Sequence, residues 1–174
     1  MINYWIISDT HFGHENVKKY CGRPDDFETT TFNNLNKIPE KEALIHLGDV
    51  AFGNIKEMHE KYIKPLKCKK ILILGNHDRK GKPWFLNNGW DEVFESGELE
   101  LALEEGRRAL FSHSKLPEEK MINYSYNIFG HSHEKAIELT EKQIVYSLEK
   151  EGYAPILLTD LINKRYIAKT ALVR

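Results

Sequence analysis

Ile71-Leu72-Ile73-Leu74-Gly75-Asn76-His77-Asp78 is the stretch whose reading decides the fold. Apolar residues stop at a glycine, and side chains able to hold a metal or a proton follow at once. The run is short, β-branched at Ile71 and Ile73, and bounded by Lys70 and Gly75, which is the pattern of a buried strand. A strand that ends at glycine and delivers Asn-His-Asp into a loop is how α/β proteins present chemistry at the carboxyl edge of a sheet. Taken alone, Gly-Asn-His-Asp is equally an ordinary turn.

Outward from this stretch the same punctuation recurs. Residues 4–8 read as a strand that runs into Asp9-Thr10-His11. In extended backbone i and i+2 point to one side, so the Asp9 carboxylate and the His11 imidazole can converge on one ion. Residues 43–47 form another strand, Gly48 lets the backbone turn sharply, and Asp49 emerges at its end. A strand at 110–112 runs into His113, and one at 127–129 into Gly130-His131-Ser132-His133. His14 either lines the same pocket or caps a short helix over 15–20. His46, inside its strand, reads as a core histidine, and His59, beside a helical stripe, needs no function.

Between the strands, helices are expected over 29–37, 54–66 and 83–88. Pro39 ends the first, and Asn54 can cap the second, whose stripe is Ile55, Met58, Tyr62 and Leu66. Alternating strands and helices favour a parallel sheet in the first half. After Trp90 the texture changes to short strands at 93–95, 99–103 and 108–112. The pair 99–103 and 107–111, joined by Glu-Glu-Gly-Arg, reads as a hairpin, and the second half as antiparallel. A last strand is expected over 144–148 and a last helix over 155–166. No linker or internal repeat divides residues 1–174, so a single domain is expected.

Bulk composition narrows the function classes. Of 174 residues, 41% are apolar and 29% charged, a soluble globular balance with enough chain for a real core. The formal charge of −1 argues against a large basic nucleic-acid footprint, though not against a nucleotide-sized substrate. Cys21 and Cys68, the only cysteines, imply no disulfide framework. No apolar run approaches ~20 residues, so no transmembrane helix and no membrane partner are expected. The opening residues lack a basic leader and cleavage site, and cytoplasm is the expected compartment.

The strand-end residues Asp9, His11, Asp49, Asn76, His113, His131 and His133 supply two acids, one amide and four imidazoles. Any one of them could be incidental; together they match the needs of two metal ions sharing a carboxylate, with Asp49 the natural bridge. Imidazole–oxygen ligation suits Mn²⁺, Fe²⁺, Co²⁺, Ni²⁺ or Zn²⁺, whereas Mg²⁺ or Ca²⁺ alone would not favour four histidines.

Asp9-x-His11, Gly48-Asp49, Gly75-Asn76-His77-Asp78, His113 and Gly130-His131-x-His133, in that order, resemble the calcineurin-like metallophosphoesterase superfamily. Residues 9–16, 21–24 and 46–50 resemble its small bacterial and phage branch. The resemblance implies an α/β fold of two packed mixed sheets flanked by helices, in an α/β/β/α sandwich. It implies that Asp9, His11, Asp49 and His133 hold one divalent metal, and Asp49, Asn76, His113 and His131 the other, with Mn²⁺ favoured for activity. Asp49 and His77 would be the catalytic residues, His77 meeting the leaving group.

The chemistry then follows from charge. Two cations about 3.5–4 Å apart neutralise an anionic phosphate ester, and water shared between them becomes a hydroxide that attacks phosphorus in line. His77 would protonate or hydrogen-bond the departing oxygen, and Asp78 would fix the loop. Arg23 is a candidate phosphate clamp, because its fork suits phosphate, and Arg79 a weaker one. Arg23, His77 and His14 are thus the expected substrate-binding residues. One departure matters: protein Ser/Thr phosphatases follow Gly-Asp with an acid and an arginine, where this chain has Phe52 and Gly53. The expected activity is hydrolysis of a phosphodiester or phosphomonoester of a small substrate, nucleotides included. The alternatives are a nuclease or end-processing enzyme, and a non-catalytic scaffold, which would lack ligands that are all kept here.

Overall fold

The computed structural model describes residues 2–95, 97–133 and 135–171. In chain order, β1 (Tyr4–Ile7), β2 (Ala43–His46), β3 (Lys69–Ile73) and β4 (Glu92–Phe94) lie parallel in one sheet. The strands β5 (Glu98–Ala102), β6 (Arg108–Ser112), β7 (Tyr126–Phe129) and β8 (Gln143–Val145) form a second. The two-residue β9 (Ile156–Leu157) returns to the first sheet, giving the order β4-β3-β2-β1-β9, antiparallel to β1. Ile6, Ile45 and Ile71 fall in register across the middle of that sheet. β2 is buried along its whole length, as parallel strands covered on both faces must be.

Helices α1 (Glu15–Cys21) and α2 (Phe27–Leu35) cross from β1 to β2, α3 (Ile55–Met58) from β2 to β3, and α4 (Lys82–Asn87) from β3 to β4. α5 (Leu158–Ala171) follows β9. Side chains from both sheets, among them Ile6, Ile45, Leu72, Phe111, Ile128 and Ile144, share one hydrophobic cluster. Two mixed sheets with helices are thus the observed α/β architecture. Among the described residues no helix is long and apolar enough to cross a membrane.

Three expectations are corrected. The second sheet is not antiparallel throughout: only β5 and β6 form the hairpin, while β6–β7 and β7–β8 are parallel. The segments 113–125 and 130–142 are long enough to carry the chain back across the sheet, and crossovers of roughly a dozen residues give parallel pairing. Ile156 and Leu157 are not helical, because β1 offers them an open edge. The helix expected over 54–66 is α3 followed by a π-helical turn at His59–Ile63, with Lys64 N donating to His59 O at 2.9 Å. Pro65, lacking an N–H, cannot extend it. Asn54 does cap α3, its side chain accepting from Glu57 N.

Candidate metal centre

The loops that leave β1, β2, β3, β6 and β7 meet at one place, and their backbone is strained there. Among the described residues, seven non-glycines have positive φ, and Asp9, His11, Asp49, His131 and His133 are five of them. Left-handed backbone in such residues costs about 1 kcal/mol or more each and persists only where surrounding structure enforces it. Gly48, at φ +100°, is part of that enforcement: a Cβ on it would stand 2.5 Å from Gly75 N. At Gly130 a Cβ would collide with the Ser8 hydroxyl and the Asp9 carboxylate.

Carboxylates lace these loops together. Asp78, the acid of the opening stretch, accepts from Asp49 N at 2.7 Å and Gly75 N at 2.9 Å through Oδ2, and from Val50 N at 3.1 Å through Oδ1. It thereby fixes the loops after β2 and β3 to each other. Asp49 Oδ1 accepts from His77 N at 2.9 Å, and Asp9 Oδ2 from His131 N at 2.8 Å. Each aspartate keeps its other oxygen for the space between the loops.

That space collects lone pairs. His113 Nδ1 lies 2.8 Å from Leu47 O, which only an N–H can satisfy, so Nε2 carries a lone pair. Around Nε2 stand Asn76 Oδ1 at 2.9 Å, His131 Nδ1 at 3.0 Å and Asp49 Oδ2 at 3.5 Å. On the other side, His11 Nε2 is 3.8 Å from both Asp9 Oδ1 and Asp49 Oδ2, and His133 Nε2 is 3.8 Å from Asp9 Oδ1. Asp9 Oδ1 is buried with no hydrogen-bond partner. Carboxylate and imidazole groups converging around a buried oxygen that no donor reaches are what a divalent cation satisfies. Among the described residues three groups meet the spacing: Asp9, Asp49, His113 and His131; Asp9, His11 and His133; and, set behind the second, Cys21, His133 and Glu149. The donor set therefore fits divalent metal.

Burial sets the protonation of the cluster. Burial pushes the Asp9 carboxyl above its ordinary value, despite the opposing histidines. Burial, then the Arg23 charge, pushes His11 down to about 2. Burial and the neighbouring His113 also lower His131. Groups held in their metal-binding neutral imidazole form are ready to ligate.

Residues 2–147 match the sequence profile of the calcineurin-like phosphoesterase superfamily domain. The chain belongs to that superfamily. The uncharacterized protein MJ1445 of Methanocaldococcus jannaschii is similar to it, 28% identical over 190 residues covering 98% of this chain and 97% of the relative. So is the crystal structure of AQ665 from Aquifex aeolicus, a protein of unknown function, at a TM-score of 0.77 and 26% identity. That match covers 94% of this chain and 99% of the other. Membership points to metal-dependent phosphoester hydrolysis.

In this calcineurin-like domain Arg23 is not placed to clamp a substrate. Its side chain is fully buried. Nε and Nη2 donate to Glu149 Oε1 at 2.9 and 2.7 Å, Nη1 to Thr10 O at 3.0 Å and Nη2 to Asp9 O at 2.8 Å. The guanidinium is thus spent on holding the loop after β1 that carries Asp9 and His11. Glu149 was invisible in the sequence, one acid in the charged run Glu149-Lys150-Glu151. Burial alone would raise its pKa, but the His133 hydrogen bond and Arg23 hold it down to about 2.

A cavity of about 820 Å³ opens over the candidate metal-binding residues, lined on that side by His11, Asp49, His131 and His133, with His77 beside them. His77 is half-buried, its Nε2 4.0 Å from Asp49 Oδ2. His14 meets both of its sequence alternatives: it is the N-cap residue of α1, with no side-chain cap hydrogen bond, and it lines the cavity. Arg79 is exposed and borders a smaller hollow with Phe52, Gly53 and His77. His46 and His59 are buried, as a core reading requires. The sequence noted Phe52 only as a departure; its ring packs 4.2 Å from His14 and 4.7 Å from His77.

Proposed function

We propose that this protein is a dinuclear metal-dependent phosphoesterase that hydrolyses a phosphodiester or phosphomonoester of a small substrate. The observation that carries the reading is the convergence of Asp9, Asp49, Asn76, His113 and the other histidines around the buried, unpartnered Asp9 Oδ1 beneath an open cavity. Asp9, His11, Asp49 and His133 would hold one ion, and Asp49, Asn76, His113 and His131 the other. Bound divalent cations, Mn²⁺ foremost, would supply positive charge to the phosphate and a water of lowered pKa.

The chain's own groups do the rest. Asn76 ligates without adding negative charge beside an anionic substrate. His77 Nε2, at the cavity edge 4.0 Å from Asp49 Oδ2, is within reach of a departing oxygen and donates a proton to it. His14 and Phe52 orient the ester from the flank. Asp78 acts only by fixing the loops. The formal charge of −1 suits a small ester better than a nucleic acid.

The test is hydrolysis of bis-p-nitrophenyl phosphate and p-nitrophenyl phosphate with added Mn²⁺, Fe²⁺, Co²⁺, Ni²⁺ or Zn²⁺. Turnover that vanishes in Asp49→Ala supports the reading. Equal rates for wild type and Asp49→Ala under every metal overturn it.

A further inference from the structure

The metal-site residues line only one side of the cavity. The remainder is lined by Val17, Tyr20, Cys21 and Gly22 around the end of α1, with Phe52 and Lys135. At about 820 Å³ the cavity has the size of sites that take whole organic ligands, roughly 300–1,000 Å³. A phosphate alone would leave most of it filled with water.

A series of rings leads outward from His77 through that space. His77 lies 4.7 Å from Phe52, Phe52 lies 4.2 Å from His14 edge-on, and His14 lies 6.5 Å from Tyr20. Tyr20 ends the series with 76% of its surface exposed, the mark of a large ring that contributes little to the core. Among the described lining residues Lys135 is the one lysine or arginine, too little positive charge to track a chain of phosphates.

We propose that the organic half of the ester carries a flat aromatic ring, a nucleobase or an aryl group. That ring stacks along Phe52, His14 and Tyr20, and the single phosphate reaches back toward Asp49 and His77. This rests on the phosphoesterase reading for the placement of the phosphate, and names the substrate class for it. Stacking on an aromatic side chain tolerates any flat ring, so Tyr20 selects for the presence of a ring and not for one particular base.

Calorimetry on the Mn²⁺-loaded protein tests this with ligand pairs that differ chiefly in the ring: AMP against ribose 5-phosphate, and phenylphosphonate against methylphosphonate. The ring should tighten binding about tenfold in at least one pair, and the pair that gains identifies nucleobase or aryl group as the source. Tyr20→Ala should remove the gain and Tyr20→Phe keep it, with metal content unchanged in both. No gain in either pair, or a gain that survives Tyr20→Ala, overturns the proposal. A ring gain in a protein that cleaves no ester would defeat only the hydrolytic reading. Cleavage of bis-p-nitrophenyl phosphate without any ring gain would defeat only the aromatic subsite.

Discussion

Glu149 Oε1 lies 3.1 Å from His133 Nδ1, on the side of the imidazole that faces away from Asp9. With the carboxylate as acceptor, Nδ1 carries the proton and Nε2 keeps its lone pair for a metal. The hydrogen bond and the Glu149 and Asp9 charges raise the His133 pKa against the effect of burial, which makes its ring a more basic ligand. Loss of such a partner typically costs 10–100-fold in metal affinity. Glu149→Gln is therefore expected to weaken Mn²⁺ binding about 10–100-fold at one ion, the one beside His11 and His133, and to leave the other in place. Calorimetry with metal analysis reads this directly, and two unchanged affinities would contradict it.

The buried Arg23–Glu149 pair also holds the fold. Removing one partner of such a pair strands the other charge and costs about 3–5 kcal/mol. Arg23→Met should lower stability by that order in a denaturant titration. The double variant Arg23→Met with Glu149→Leu should recover part of the loss, although Asp9 O and Thr10 O still lose their donors. It should not recover metal affinity at the His133 side. A double variant no more stable than Arg23→Met would show that the carbonyl contacts, not the ion pair, carry the effect.

Asn76 and His77 are neighbours with different expected phenotypes. Asn76 Oδ1 stands 2.9 Å from His113 Nε2 within the lone-pair cluster, whereas His77 lines the open cavity. Asn76→Ala should weaken metal binding itself. His77→Ala should retain two ions per chain and lose about 10²–10⁴ in turnover, the range of general acid catalysis. Loss of metal in His77→Ala would show that this side chain ligates.

His46 should stay neutral well into acid. Gly48 N donates to its Nδ1 at 3.1 Å and Thr10 Oγ1 lies 2.9 Å from its Nε2, so a second proton has no acceptor. Burial, then its nearness to His113, lowers its pKa from 6.5 to about 3. Between those values the unfolded chain binds a proton that the native state does not. This histidine therefore makes stability fall as pH drops below about 6.5, by up to about 1.4 kcal/mol per pH unit. NMR of the imidazole should report the neutral Nε2–H form at pH 5. A protonated His46 at that pH would refute the placement.

Much of this molecule was legible in its residues. Apolar runs ending in Gly-Asn-His-Asp, Gly-Asp or Gly-His-Ser-His name both the strands and the ligand-type side chains, because the two-residue period of a strand and the turn at glycine are local properties. The parallel first sheet follows from alternation of strands and helices, and the 99–111 hairpin from its short turn.

What tertiary structure decided lies in contacts between distant segments. The direction of β7 and β8 depends on crossovers whose path carries no local signal, and β9 exists only because β1 has a free edge. Arg23 looked like a substrate clamp because a guanidinium fork suits phosphate, but the same fork suits a carboxylate. The Glu149 that captures it is 126 residues away, in a run of charges like any surface run. The sequence by itself determined which ligand-type side chains stand at the ends of strands. Only the folded chain decided which of them face the cavity and which support it from behind, since burial and pairing belong to three-dimensional neighbours and not to sequence neighbours.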